Sequence, residues 1–79
     1  PALYERAETY LAKKELPRAE KYYEKALEVN PEHALSELGL ARIAKARKDK
    51  AAYTKHISKA RKLDSGNPKI AAEAEKGWE

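Results

Sequence analysis

The sequence predicts an all-α domain of antiparallel helix hairpins, about five helices in all, and three observations carry that prediction. Glycine and proline number only 3 and 4 among 79 residues, while 38% of residues are charged, a balance that favours long helices over many turns. Alanine, glutamate, lysine and leucine recur throughout, and all are strong helix formers. The chain also matches itself at a shift of 34 residues: Ala7 falls on Ala41, Ala12 on Ala46, Lys14 on Lys48, Lys21 on Lys55, Lys25 on Lys59 and Ala26 on Ala60. Conservative pairs extend the register, among them Glu15 with Asp49, Tyr23 with Ile57 and Asn30 with Asp64. A self-match without gaps over this length marks a repeat architecture.

Each helix has its own signals. Leu3, Ala7, Tyr10 and Leu11 recur at helical spacing and define the first. Glu15-Leu16-Pro17 interrupts that pattern, and Pro17 suits the opening turn of the second helix. Ala19, Tyr22, Tyr23, Ala26, Leu27 and Val29 carry this helix to Asn30, which Pro31 biases away from helical ψ. The second copy repeats the scheme with helices over about 34–47 and 50–63, closed by Asp64-Ser65-Gly66. Asn67 as N-cap and Pro68 at the first helical position then open a short fifth helix over about 68–77. The expected organisation is one domain, with repeat one over about 1–33, repeat two over about 34–67 and a capping helix over about 68–79.

Composition excludes several classes of function. A chain this short buries only about 60% of the surface its unfolded form exposes, which leaves no second domain to wall a deep cleft. Without cysteine there is no disulfide framework and no Cys-based zinc site. No run of about 18 apolar residues spans a membrane, and no charged segment followed by an apolar one marks a signal peptide. His33 and His56 have no acidic partners at metal-ligand spacing, and Gly39, Gly66 and Gly77 make no phosphate loop. Glu20, Glu24 and Glu28 alternate with Lys21 and Lys25 on a helix, which reads as a solvated ion-paired face rather than catalytic carboxylates. No enzyme activity, cofactor or metal is expected.

A 34-residue helix–turn–helix period with small residues, an aromatic and a closing proline at set places resembles the tetratricopeptide repeat. In the first copy Leu3 stands at the family's tryptophan place, followed by Ala7, Tyr10, Ala19, Tyr23, Ala26 and Pro31, and only Arg6, where leucine is usual, departs. In the second copy Leu40, Ala41, Ile57 and Ala60 fit. There Glu37 replaces a large apolar residue, Ala44 the aromatic, Tyr53 the small alanine and Ser65 the proline. Ala7 and Ala19 would let the two helices of a hairpin approach closely. Tyr53 at the corresponding place demands either a splayed second hairpin or a ring that swings out to cover a surface. Such arrays need about three repeats for stability, so a piece of a longer array or a designed sequence is expected.

The resemblance implies a non-enzymatic module that binds a protein or peptide partner along the concave face made by the first helix of each pair. Projection of the repeat puts Tyr4, Glu8 and Leu11 there, then Leu35, Leu38, Arg42 and Lys45, then Lys69, Ala72 and Lys76. Leu40, Ala41, Ile43 and Ala44 already supply the packing set of the second repeat. Tyr4, Leu11, Leu35 and Leu38 would therefore form an apolar groove with a basic margin at Arg42 and Lys45, suited to a peptide with apolar anchors and an acidic residue. The alternative is that Leu35 and Leu38 pack against neighbouring helices. The family's lysine–asparagine–arginine clamp for a peptide C-terminus is absent, since Tyr4, Glu8, Gly39, Lys69 and Glu73 occupy those places and only Lys69 is of the right type.

Charge offers a second reading. Residues 34–67 hold 9 Lys/Arg against 3 acids, whereas residues 1–33 hold 6 against 7. Lys55, Lys59 and Lys62 share one helical face, with Arg42, Lys45, Arg47, Lys48 and Lys50 nearby in sequence. Such a stripe is either a solvated convex face or a salt-sensitive contact for nucleic acid or an acidic protein. A third reading is purely architectural, a spacer or scaffold without ligand. Trp78 is expected to pack on the last hairpin or to belong to a continuing helix.

Overall fold

The computed structural model describes residues 2–78, and five helices follow one another as the repeat predicts: α1 (Ala2–Ala12), α2 (Leu16–Val29), α3 (Ala34–Ala46), α4 (Lys50–Leu63) and α5 (Pro68–Lys76). α1 packs on α2 and α3 on α4 as hairpins, α2 and α3 join the two hairpins, and α5 rests mainly on α4. No helix among the described residues is long and apolar enough to cross a membrane.

The two hairpin turns are the same turn. The amide of Glu15 donates to the Tyr10 carbonyl and that of Lys14 to the Leu11 carbonyl; Asp49 donates to Ala44 and Lys48 to Lys45 in the same pattern. This paired closure satisfies the last carbonyls of a helix and requires a left-handed residue, here Lys14 and Lys48, each at φ 61°. The helices that follow start differently. Asp49 caps α4 by accepting from the Ala52 amide, and Asn67 caps α5 by accepting from Lys69, while Glu15 and His33 make no side-chain cap. Gly77 ends α5 at φ 69° and ψ −161°, a backbone region essentially reserved for glycine, and so turns Trp78 back toward α4.

Two apolar clusters form the core. The first joins Ala7, Ala19 and Tyr23 to Leu40 and Ile43 of α3. Ala7 and Ala19 are wholly buried, as a close approach of α1 and α2 demands. The second joins Ala34, Leu38, Ala41 and Ala44 of α3 to Tyr53, Ile57, Ala60 and Ile70. Full burial of a large apolar side chain contributes about 1.5–3 kcal/mol, and α3 supplies such residues to both clusters.

Tyr53 answers the question of its volume by turning toward α5. Its ring is buried, edge-on to Trp78 at 5.5 Å between centroids. Its hydroxyl donates to the Glu73 carboxylate at 3.2 Å. The tyrosine is thus covered by the fifth helix and by Trp78 beyond it, not left to cover a surface itself.

Candidate functional site

The face shared by α1, α3 and α5 is set by how little of α3 reaches solvent. Nine of its thirteen residues are buried. Those that are not, Leu35, Arg42, Lys45 and Ala46, run along one edge of the helix. Tyr4 of α1 flanks this strip, with its ring edge-on to His33 at 5.0 Å. Arg42 lies near enough to the Tyr4 and Tyr23 phenols to oppose the rise in their pKa values.

Leu38 corrects the sequence-based groove. It is only 2% exposed and packs inside the second cluster, so it is core and offers a partner nothing. Leu35 is half-buried against the same cluster and lines a cleft with Leu63, Asp64 and Asn67, separate from the one that Tyr4 lines. Leu11 is half-buried against the first cluster. The four apolar residues therefore do not merge into one groove. Arg42 and Lys45 meet at Glu73, and Arg42 also lies near Tyr4, so the margin of the expected groove is its polar floor.

That floor is polar and internally paired. Glu73 of α5 is 7% exposed. One carboxylate oxygen lies 3.1 Å from Lys45 Nζ and the other 3.7 Å from Arg42 Nε. Lys45 also donates to the Gly77 carbonyl at 2.9 Å. Two cations thus share one buried carboxylate, and Glu8 beside Tyr4 offsets the remaining positive charge. Nearer α1, the Tyr23 hydroxyl donates to Glu8. Burial first, and Glu8 second, push the Tyr4 phenol up to about 12. Burial also raises Tyr23 and Tyr53 and lowers the His33 imidazole. Beside Tyr4, a small apolar pocket of about 60 Å³ is lined by Leu3, Ala26, Val29, Asn30 and His33. Val29 at its rim is 78% exposed.

The basic stripe on α4 is exposed but not free along its length. Lys59 Nζ lies 3.5 Å from Glu37, and His56 Nδ1 lies 2.8 Å from the other oxygen of the same carboxylate. Glu37 itself is 2% exposed. Lys55 and Lys62 extend into solvent on either side. The pairing of Glu37 with residues 19 and 22 positions later has no local sequence signal.

A family model described as the tetratricopeptide repeat matches residues 1–33. No curated protein and no solved structure matches the chain.

Proposed function

Because this chain is a tetratricopeptide-type repeat protein, we propose that it binds a segment of a partner protein on the face shared by α1, α3 and α5, through Tyr4, Arg42 and Lys45. Repeats of this type mediate protein–protein interaction and are typically non-catalytic. The observation that supports this face is the burial of α3, which meets solvent only along the edge carrying Leu35, Arg42, Lys45 and Ala46. A segment lying there would place a small aliphatic side chain in the pocket beside Tyr4 and an acidic one against Arg42 and Lys45. Arg42 and Lys45 sit in a partly dehydrated setting, where a charge-assisted hydrogen bond is stronger than in open water. Leu35, on this edge of α3, is half-buried against the second cluster, and Leu11 of α1 against the first.

A displayed peptide library panned against the full chain tests the reading. Enriched sequences should pair an aliphatic residue with Asp or Glu. Arg42→Gln with Lys45→Gln should weaken their binding by at least about tenfold, the equivalent of one charged hydrogen bond, with helicity unchanged by circular dichroism. Glu73→Gln should strengthen binding, since it removes the carboxylate that competes for both cations. Affinity unchanged by all three substitutions would overturn the assignment.

A further inference from the structure

The first repeat carries a second surface that its charge balance conceals. Tyr10 of α1 and Tyr22 of α2 stack nearly parallel, 17° apart with centroids 5.6 Å apart. Both rings rest half-buried against the first core cluster. Around Tyr22 stand three cations: Arg6 at 5.5 Å, Lys25 at 5.5 Å and Lys21 at 6.0 Å from the ring centre. Arg18 stands 5.7 Å from the Tyr10 ring. On the α1 side, Lys13 lines an open cleft with Arg6, Thr9 and Tyr10, with Glu5 as its one carboxylate. Among the described residues, Arg18 pairs with Glu15 at 3.5 Å, and no ion pair engages Arg6, Lys13, Lys21 or Lys25. Of the glutamates in this repeat, Glu8 meets Tyr23, Glu15 meets Arg18 and Glu20 meets Arg47 at 3.0 Å.

We infer that this face of α1 and α2 binds single-stranded nucleic acid, with Arg6, Lys13, Arg18, Lys21 and Lys25 on the phosphates and the Tyr10–Tyr22 pair as the platform for a base. Arg18 to Lys25 covers about 10 Å along α2 at the helical rise, and Arg6 on α1 with Lys13 just past its end covers a similar length, so the cations form a track rather than a point. One isolated phosphate cannot engage so extended a set. An acidic peptide could neutralise the cations but would bring nothing to the rings, whereas every base has a π-face for an aromatic platform. Arg6 is decisive because it ties the two helices into one face: it lines the α1 cleft with Lys13, and its guanidinium stands 5.5 Å from the Tyr22 ring of α2. Hydrogen bonding from Arg6, together with the charges of Lys21 and Lys25, also holds the Tyr22 phenol below its ordinary pKa. The surface is distinct from the strip of Tyr4, Arg42 and Lys45 and from the α4 stripe.

The test is fluorescence anisotropy of a labelled oligothymidylate of about 12 nucleotides, within the usual footprint of such sites, titrated with the full chain from about 50 to about 300 mM salt. Binding should weaken steeply with salt, as counterion release requires. Arg6→Glu with Lys25→Glu should cost at least about tenfold and flatten the salt slope by roughly 0.7 for each phosphate no longer engaged. Tyr10→Leu with Tyr22→Leu should weaken binding while leaving that slope in place. Lys55→Glu with Lys62→Glu, on α4, should change affinity by less than about twofold. No binding by the wild type at low salt overturns the proposal. So does an equal loss from the α4 pair, or displacement of the oligonucleotide by polyglutamate at equal charge. If the tyrosine variant loses helicity, the exposed Arg6 and Lys25 substitutions decide the matter.

Discussion

Gly39 lies against the ring of Tyr23 so closely that a Cβ at position 39 would fall within 3.0 Å of three ring atoms. The ring cannot retreat. It is wholly buried, and its hydroxyl is held by Glu8. Gly39 is thus the place where the Tyr23 side chain of α2 meets the bare backbone of α3, from the other repeat.

Gly39→Ala should therefore destabilise the domain by about 1–3 kcal/mol, the range for overpacking a filled core, although alanine at an ordinary helical site would add up to about 1 kcal/mol over glycine. Urea denaturation measures this. In a Tyr23→Leu background the same change should cost much less, and strict additivity of the two would count against the steric account.

Lys14 and Lys48 should each be improved by glycine. Both close a hairpin turn with a left-handed backbone, which costs a side-chain-bearing residue roughly 1–2 kcal/mol relative to the right-handed form. Glycine recovers part of that but loses more entropy on folding, so a gain of about 0.5–1 kcal/mol per site is expected. The two share no partner, and Lys14→Gly with Lys48→Gly should give the sum in a thermal melt. A loss at either site would show that the turn holds no strain.

The fold was legible because its determinants are local and repeated. The alanines at 7, 19, 26, 41 and 60, the Pro31 stop and the Asn67-Pro68 start each specify a feature within a few residues, and the 34-residue self-match multiplies them. The candidate site was legible only in part. Helical projection separates inside from outside when one face of a helix is buried, but α3 is enclosed on most sides. Leu35 and Leu38 therefore looked equivalent in sequence and are not. Glu37 meets His56 and Lys59, and Glu73 meets Arg42 and Lys45, across gaps no local pattern spans. Counting charge by segment also hid the cations around Tyr22, because helix faces rather than sequence intervals decide which charges meet.

Glu37 gives a test of whether its burial serves stability. A buried carboxylate loses hydration that its partners must offset, and well-packed apolar replacements of such groups are often neutral or favourable. His56 and Lys59 are partly exposed and stay solvated without it. Glu37→Leu should accordingly hold or raise the denaturation midpoint, whereas Glu37→Ala should lower stability by about 1–3 kcal/mol through the cavity it leaves. A marked loss for leucine would show that the ion pairs outweigh their desolvation.

Alkali should unfold the protein in a defined order. In the folded state Tyr4 ionises only near about 12, and Tyr23 and Tyr53 are also raised above the ordinary 10.0, chiefly by burial. The unfolded chain releases these protons first, so their stabilising contribution is intact below pH 10 and is lost as pH climbs through the folded values. Tyr22, held low by Arg6, ionises before them. Phenolate absorbance followed beside circular dichroism should show an early rise with helicity unchanged, then a second rise that coincides with loss of helix. A second rise completed while helicity is intact would contradict the burial of these rings.

The sharing of α3 between both clusters has a consequence for cooperativity. In long helical arrays each unit contributes its own stability plus a term from its neighbours, and the ends can fray independently. Here Leu40 and Ile43 complete one cluster while Leu38, Ala41 and Ala44 complete the other, so neither hairpin keeps its interior once that helix is lost. The first four helices should melt as a single two-state unit, with the amides of α3 exchanging only through global opening. α5, attached mainly through α4, is the segment able to open by itself, and Trp78 beside Tyr53 is the natural reporter of that event.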